Sequence, residues 1–445
     1  MSLPERTAEA LAHRLFAAAV AAVRPEALVR DSVRLTGDIL RIGGREVELR
    51  PGRKVWVFGS GKASAAMARA VEAVLGDRLA GGQVICSHLA GRQPGCIEVL
   101  PGGHPLPTEQ SVQSTTRLRQ AMTSLGEEDF LLFLLSGGSS ALLEMPPPPL
   151  TLAELRQVGA LLLRNGVPIE AMNTVRKHLS QVKGGRLGAA VKAAGAVLVL
   201  SDVIGDDLAT IGSGPLYCDP STFADARAIL TDYGLWQEIP ENARTIIAEG
   251  CRGLRPDTPK AANPRLRHHL IGSNGHALEA ARKEAEQEGL AVHIVTSRLQ
   301  GEAREVAREL IALATEIRES GTPFAPPVTL LFGGETTVTV AGSGRGGRNQ
   351  ELALAALLAI GDTAGIRLLA AGSDGIDGNS EAAGAVADAS TLRRARELGL
   401  DPLSFLANND SNTFFSRTGS LVVTGPTGTN VMDIVILTID PKEAP

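Results

Sequence analysis

Cysteine is scarce in this chain, with four residues in 445, at positions 86, 96, 218 and 251. None forms a C-x-x-C pair or has neighbouring histidines, so the spacing excludes a zinc site, and ordinary reduced thiols are expected. Positive charge is not in excess either. Lys+Arg total 44 against 49 Asp+Glu, a formal net charge of -5 with a pI near 6.0, which leaves no basic field for nucleic acid. Any anion site must therefore be local. Only eight of the basic residues are lysines, so a lysine inside a glycine turn stands out. Long apolar runs are also missing: the longest near the N-terminus, residues 15–23, is too short to span a bilayer. Leu11, Leu15, Ala18 and Ala22 in that region fall at helical spacing, which predicts an amphipathic helix. These absences predict a cytoplasmic protein with neither a membrane nor a nucleic-acid partner.

What the chain has is glycine, 49 residues of it, with 44% hydrophobic and 21% charged residues, the balance of a soluble α/β protein rich in tight turns. Its length exceeds what one hydrophobic core sustains, so two domains are expected, with a ligand cleft between them geometrically natural. Apolar strands alternate with Ala- and Leu-rich helices from residue 54 to about 240, the pattern of a mostly parallel, Rossmann-like sheet flanked by crossover helices. The proline-containing stretch 252–267 reads as a linker. The expected domains are thus 1–250 and 265–440.

Strand-like runs repeatedly end in turns of glycine, serine and one polar residue. Gly59-Ser60-Gly61-Lys62 follows residues 55–58, Ser136-Gly137-Gly138-Ser139-Ser140 follows 130–135, and Ser201-Asp202-Val203-Ile204-Gly205-Asp206-Asp207 follows 197–200. Gly272-Ser273-Asn274-Gly275 and Gly372-Ser373-Asp374-Gly375 repeat the pattern. Such turns offer backbone N–H groups and a helix N-terminus to an anion. A phosphate-bearing substrate is the natural reading.

The first turn is no Walker A motif, since Trp56 and Ala63 stand where glycine and Ser/Thr are needed. As a dinucleotide fingerprint it lacks the third glycine, and the next strand, 83–87, is not followed by the acid that binds a ribose. Lys62 at a helix start opposes the helix dipole, which points to an anion partner, with plain solvation as the alternative. Residues 136–140 could cap a helix or hold a ligand. His104, in a Gly/Pro loop, is a structural histidine or an aimed imidazole. Arg176, Ser180 and Lys183 would share one helix face. Asp202, Asp206 and Asp207 could bind Mg²⁺, accept a hydroxyl proton, or simply form turns. Arg345 and Arg348, in the glycine-rich stretch 342–348, suggest a mobile cationic arm. Glu335-Thr336-Thr337 adds a polar rim, and Asp374 and Asp377 fail the spacing of a calcium loop but suit a Mg²⁺ or substrate contact.

Taken together, the blocks Gly59-Ser60-Gly61-Lys62, Leu135 to Ser140, Asn173-Thr174-Val175-Arg176-Lys177, Lys183-Gly184-Gly185-Arg186, Ser201 to Asp206, Gly333 to Thr337, Gly347-Arg348-Asn349-Gln350-Glu351 and Asp374 to Gly378 resemble the glycerate 2-kinase family with a C-terminal MOFRL domain. The resemblance spans almost the whole chain. It implies transfer of the ATP γ-phosphoryl group to D-glycerate with Mg²⁺ or another divalent cation, in two α/β domains with the active site in the interdomain cleft. It leaves open a homo-oligomer. Lys62, Asp202 or Asp206, and Arg348 fall on the family's catalytic positions. Contacts to the nucleotide are expected from Gly59, Ser60, Gly61, Ser136, Gly137, Gly138, Ser139, Ser140, Lys183, Glu335 and Asn349, and metal contacts from Asp206, Asp374 and Asp377. The rival readings are an NAD(P)H-dependent hydroxypyruvate reductase and a non-catalytic sensor of small acids or sugar phosphates.

Overall fold

A computed structural model describes residues 5–50, 52–87 and 93–442. The chain divides into two compact units, Pro25–Ile271 and Gly272–Pro445 joined by Met1–Arg24. The expected division at 250–265 thus shifts to 271, and the first helix changes sides. That helix, Glu5–Ala22, packs on the helix Asn274–Gln287 and on strands of the second unit, where its apolar face of Leu11, Leu15, Phe16 and Ala19 is buried. Burial of that stripe decides its allegiance, which sequence order does not.

In the unit 25–271, a small antiparallel sheet of β1 (Val33–Thr36), β2 (Ile39–Ile42) and β3 (Arg45–Glu48) precedes the main sheet. The main sheet has β4 (Val55–Ser60), β5 (Leu79–Cys86), β6 (Ile97–Pro101), β7 (Phe130–Leu135), β8 (Ala194–Leu200) and β9 (Leu266–Gly272), in the order β6-β5-β4-β7-β8-β9. The pairs β5–β6, β4–β5, β4–β7 and β7–β8 are all parallel. The continuous apolar runs explain this, for every residue of β7 is buried, as a central parallel strand covered on both faces requires. Threonine capping boxes open the helices Glu109–Thr123, Leu152–Arg164 and Phe223–Asp232.

The stretch 252–267 is less a linker than a strap. Asp257 accepts from His178 Nε2 at 2.9 Å, and Thr258 Oγ1 donates to Ser221 O at 3.2 Å. Nearby, buried Lys177 pairs with buried Asp219 at 3.2 Å. Its prolines and charges, read as a boundary signal, serve an anchored surface segment.

The second unit carries β10 (Val292–Leu299), β11 (Val328–Gly334), β12 (Ile366–Gly372), β13 (Gly384–Asp388), β14 (Leu421–Val422) and β15 (Asp433–Ile439), in the order β10-β11-β15-β12-β13-β14. Here the parallel reading needs refinement. β10 and β11 are parallel, but β15 is inserted antiparallel between β11 and β12, and β13 and β14 add antiparallel pairs. The α/β class holds for both units, with a mixed sheet in this one. Helices Ala303–Ser320 and Arg348–Ile360 cover it over a core that includes Phe332, Leu354, Phe414 and Leu437.

Candidate active site

The chain leaves β4 to build β5 and β6 on one side, then returns to build β7 and β8 on the other. The crevice beyond the carboxyl ends of β4 and β7 is therefore the topological switch point, where open α/β sheets hold ligands. Parallel register aligns Ser60 with Leu135, so the turns that follow, 61–63 and 136–138, meet there.

The first turn is not the amide cradle its glycines suggested. Gly61 N donates to Ile85 O at 3.1 Å, Lys62 N to Gly137 O at 2.8 Å, Ala63 N to Ser136 Oγ at 3.1 Å and Ser64 N to Gly61 O at 3.2 Å. With these donors committed, what the turn presents is the exposed Lys62 side chain. Gly59, Ser60 and Gly61 are buried and shape the turn, and the Ser60 hydroxyl meets no partner among the described residues.

The second turn is the open one. The N–H groups of Gly137, Gly138, Ser139 and Ser140 have no acceptor among the described residues. A Cβ on Gly137 would collide with the Asp202 carboxylate, so that acid lies directly across the turn. Gly138 has φ 81° and faces two groups at once: a Cβ there would stand 3.0 Å from His104 Cδ2 and 3.2 Å from Lys62 Cγ. Lysine, imidazole and carboxylate thus converge on two adjacent glycines. Burial pushes the Asp202 pKa up from the usual carboxylate range, against the opposing pull of Lys62.

The remaining nominees in this unit separate. Ser136 is buried and holds Ala63 N, Ser140 shares a hydrogen bond with Ser213 at 2.9 Å, and the Ser139 hydroxyl is buried without a partner among the described residues. Asp206 adopts φ 57° with its N–H on Val203 O at 3.1 Å, while Asp207 serves its own turn through Ala209 N and Thr210 Oγ1. Lys183 is a correction: its side chain is 1% exposed and ion-paired with buried Glu144, and its ammonium donates to Leu143 O at 3.2 Å, so it is not placed to hold a nucleotide. Burial holds its pKa below the lysine norm even with Glu144 alongside. The shared face of Arg176, Ser180 and Lys183 also fails, because the helix Ile169–His178 stops short of the last two.

In the second unit, register sets Asp433 between Gly334 of β11 and Gly372 of β12. Arg348 opens the helix Arg348–Ile360 and grips that acid in bidentate fashion, Nε to Oδ2 at 2.6 Å and Nη2 to Oδ1 at 2.9 Å, while Nη1 meets Glu335 at 2.8 Å. Burial lowers the Arg348 pKa, but the Asp433 bond and the surrounding acids outweigh it and the net shift is upward. Asn349 Nδ2 donates to Asp433 Oδ1 at 2.9 Å and to Asp377 Oδ1 at 3.2 Å. Asn349 and Glu335 therefore brace Arg348 and its partner acid.

Asp377 is a second correction. Its buried carboxylate caps that helix, accepting from Asn349 N at 3.1 Å and from Gln350 N and Nε2, both at 2.9 Å. Burial pushes its pKa up, Asp433 adds to this, and the amide donors oppose it. Asp374 folds back on its own turn, accepting from Ile376 N at 3.1 Å. No three of the described His, Cys, Asp or Glu residues gather as a metal cage.

The mobile arm is the third correction. Asn409 Oδ1 accepts from Ala341 N and Gly342 N at 2.8 and 2.9 Å, Asp410 Oδ1 accepts from Arg345 N at 2.9 Å, and Asn379 Oδ1 from Gly346 N at 2.8 Å. The glycines let the loop lie flat against residues 408–411 and 377–378, where a Cβ would clash. Sequence reasoning missed Asp433, Asn409 and Glu144. A lone acid entering the apolar run 431–439 was the available sign for Asp433; Glu144, at the end of a helix-like stretch, gave none.

Fold and site together define a two-unit α/β protein whose strand-end turns collect cations and carboxylates for a small anionic substrate. Residues 11–248 match the model of a domain of unknown function, DUF4147, and residues 328–433 that of the MOFRL family. The chain is 40% identical to a glycerate 2-kinase of Pyrococcus horikoshii, over 96% of this chain and 97% of that one. It is also 40% identical to an Agrobacterium vitis protein provisionally named as a hydroxypyruvate reductase, over 98% and 95% of the two chains. The crystal structure of a Thermotoga maritima glycerate kinase superposes with a TM-score of 0.87 at 38% identity, covering 98% of this chain and 100% of that one. The chain belongs to the glycerate 2-kinase family with a C-terminal MOFRL domain.

Proposed function

We propose that the protein transfers the γ-phosphoryl group of ATP to the 2-hydroxyl of D-glycerate, giving 2-phosphoglycerate. The observation that carries this reading is the meeting of Lys62 and Asp202 on the open Gly137–Gly138 turn, in a chain whose relatives include named glycerate kinases. Phosphoryl transfer asks for positioning and charge neutralisation more than covalent chemistry. Lys62 neutralises charge on the transferring group, and the free amides of residues 137–140 hold its oxygens.

Asp202 is favoured over Asp206 as the group that orients the attacking hydroxyl and takes its proton. It is the acid across from Lys62, and a carboxylate with a raised pKa is the better acceptor. Arg348, held by Asp433 and Glu335, has a half-buried side chain whose fixed guanidinium is the second cation an anion could meet. Mg²⁺, when bound, would neutralise phosphate charge; Asp206, which follows the same strand as Asp202, is the acid of this unit that could reach it. We also propose a cytoplasmic location, consistent with the finding that no helix among the described residues is long and apolar enough to cross a membrane.

Two parallel assays test the reading: ADP release from ATP, Mg²⁺ and D-glycerate, with the phosphoglycerate isomer resolved by ³¹P NMR, and NAD(P)H loss with hydroxypyruvate. ADP release with 2-phosphoglycerate is expected. NAD(P)H loss without ADP release would replace the kinase by the reductase, and binding without either signal would leave a sensor.

A further inference from the structure

The imidazole of His104 has no role in the scheme above, yet it stands at the centre of it. It comes from the loop after β6, the edge strand, and reaches over β5 and β4 to the turn after β7. A Cβ on Gly138 would come within 3.0 Å of His104 Cδ2 and 3.3 Å of Nε2, as close as it would come to Lys62 Cγ at 3.2 Å. The side chain is exposed, so it borders the space above the turn and is not packed beneath it. Asp202 lies on the neighbouring glycine, Gly137. The turn is therefore flanked by a carboxylate at Gly137 and by the Lys62 stem and an imidazole at Gly138, with the Lys62 charge also felt by Asp202.

We propose that His104 is a substrate-contacting residue, whose Nε2 donates a hydrogen bond to the same anionic group that Lys62 neutralises. This rests on the kinase reading and deepens it. In this arrangement the anionic group of the bound molecule lies toward Gly138 and His104, and its reacting hydroxyl lies toward Asp202. Imidazole suits the task because Nε2–H can donate to an oxyanion in either protonation state of the ring, provided the tautomer is right. The anion is either the substrate carboxylate or the phosphoryl group, two sources of one oxyanion chemistry.

Eight histidines make the imidazole Cε1–H region of the NMR spectrum tractable, and the His104 signal is assigned by its loss in His104→Gln. Titrating the full-length wild-type protein with D-glycerate, ATP and inorganic phosphate in turn should move that signal. Movement with D-glycerate alone identifies the carboxylate, and movement with ATP and phosphate identifies the phosphoryl group. In steady-state assays His104→Ala should raise the KM of that same ligand by about tenfold or more, the size expected for loss of a hydrogen bond to a charged group. His104→Gln, which keeps an N–H near the Nε2 position, should recover most of the loss, whereas His104→Asn should not. A signal that none of the three ligands moves, or a His104→Ala enzyme with both KM values within twofold of wild type, overturns the proposal. Wild-type protein that fails to phosphorylate D-glycerate sinks the kinase reading instead, and the phosphate titration still decides whether His104 meets an oxyanion.

Discussion

The two units organise charge at their strand ends in opposite ways. In the unit 25–271, Lys62 is exposed, Asp202 is left with a raised pKa, and the amides of residues 137–140 await an acceptor. In the other unit every principal group is already bound: Arg348 to Asp433 and Glu335, Asn349 to Asp377 and Asp433, Asp377 to the helix amides. One edge holds unspent charge at some cost to stability; the other is wired, with its charge turned inward to fix one geometry. Residues at the first edge should matter chiefly for turnover. Those at the second should matter for folding as well.

The sharpest way to break that contrast is Lys62→Ala. We expect kcat to fall by at least about 100-fold, as for removal of a principal charge stabiliser, with an unchanged melting temperature. A folded mutant with near-normal turnover would remove Lys62 from the chemistry. Arg348→Ala should instead lower both activity and stability, the latter by about 2 kcal/mol in urea melts, because it strands the buried Asp433 carboxylate. Equal stability in mutant and wild type would erase the distinction between the two edges.

Next in size is Asn409→Ala, expected to cost about 1–3 kcal/mol, since it unpins Ala341 and Gly342 and leaves a residue at φ 52° without its side-chain hydrogen bonds. Asp202→Asn sharpens the contrast through pH. A carboxyl whose folded pKa is raised stays protonated in the native state where the unfolded chain has already ionised, so stability falls as pH climbs through that window. The Asn variant should therefore melt higher than wild type at pH 7, show no such advantage well below the ordinary aspartate pKa, and lose turnover throughout. Glu335→Gln should be smallest, within about 0.5 kcal/mol, because that pair is solvent-exposed on the Glu335 side.

Much of this architecture was legible in the residues. Apolar runs ending in glycine turns located β4, β7, β8 and β12, and one turn after another proved to lie at a sheet edge. Lys62 and Arg348 stood out because their side chains violate a local expectation, a lysine at a helix start and an arginine amid glycines, whereas Asp202 could not be told from Asp206 until packing set it across from Gly137. What stayed hidden were the pairings. Nothing in the order of residues says that Lys183 meets Glu144 across 39 positions, or that Asp377 caps a helix begun 29 residues earlier. Such bonds depend on which loops the packing brings together. The turn 59–62 misled for the same reason: its glycines do allow close approach, but the group approaching is the 136–138 turn of the same chain.

The position of Asp433 bears on biosynthesis. It opens β15, the last strand among the described residues, which lies at the middle of its sheet between β11 and β12. While a nascent chain is still emerging from the ribosome, β11 and β12 have no strand to join them, and Arg348 has no Asp433 to grip. The arginine's geometry can be set only once residues 433–439 have been made and have joined the sheet, so this half of the molecule cannot close before β15 arrives. A message cut short before codon 433 would yield a nucleated first unit attached to an open sheet whose central edges are bare and prone to pair with other chains.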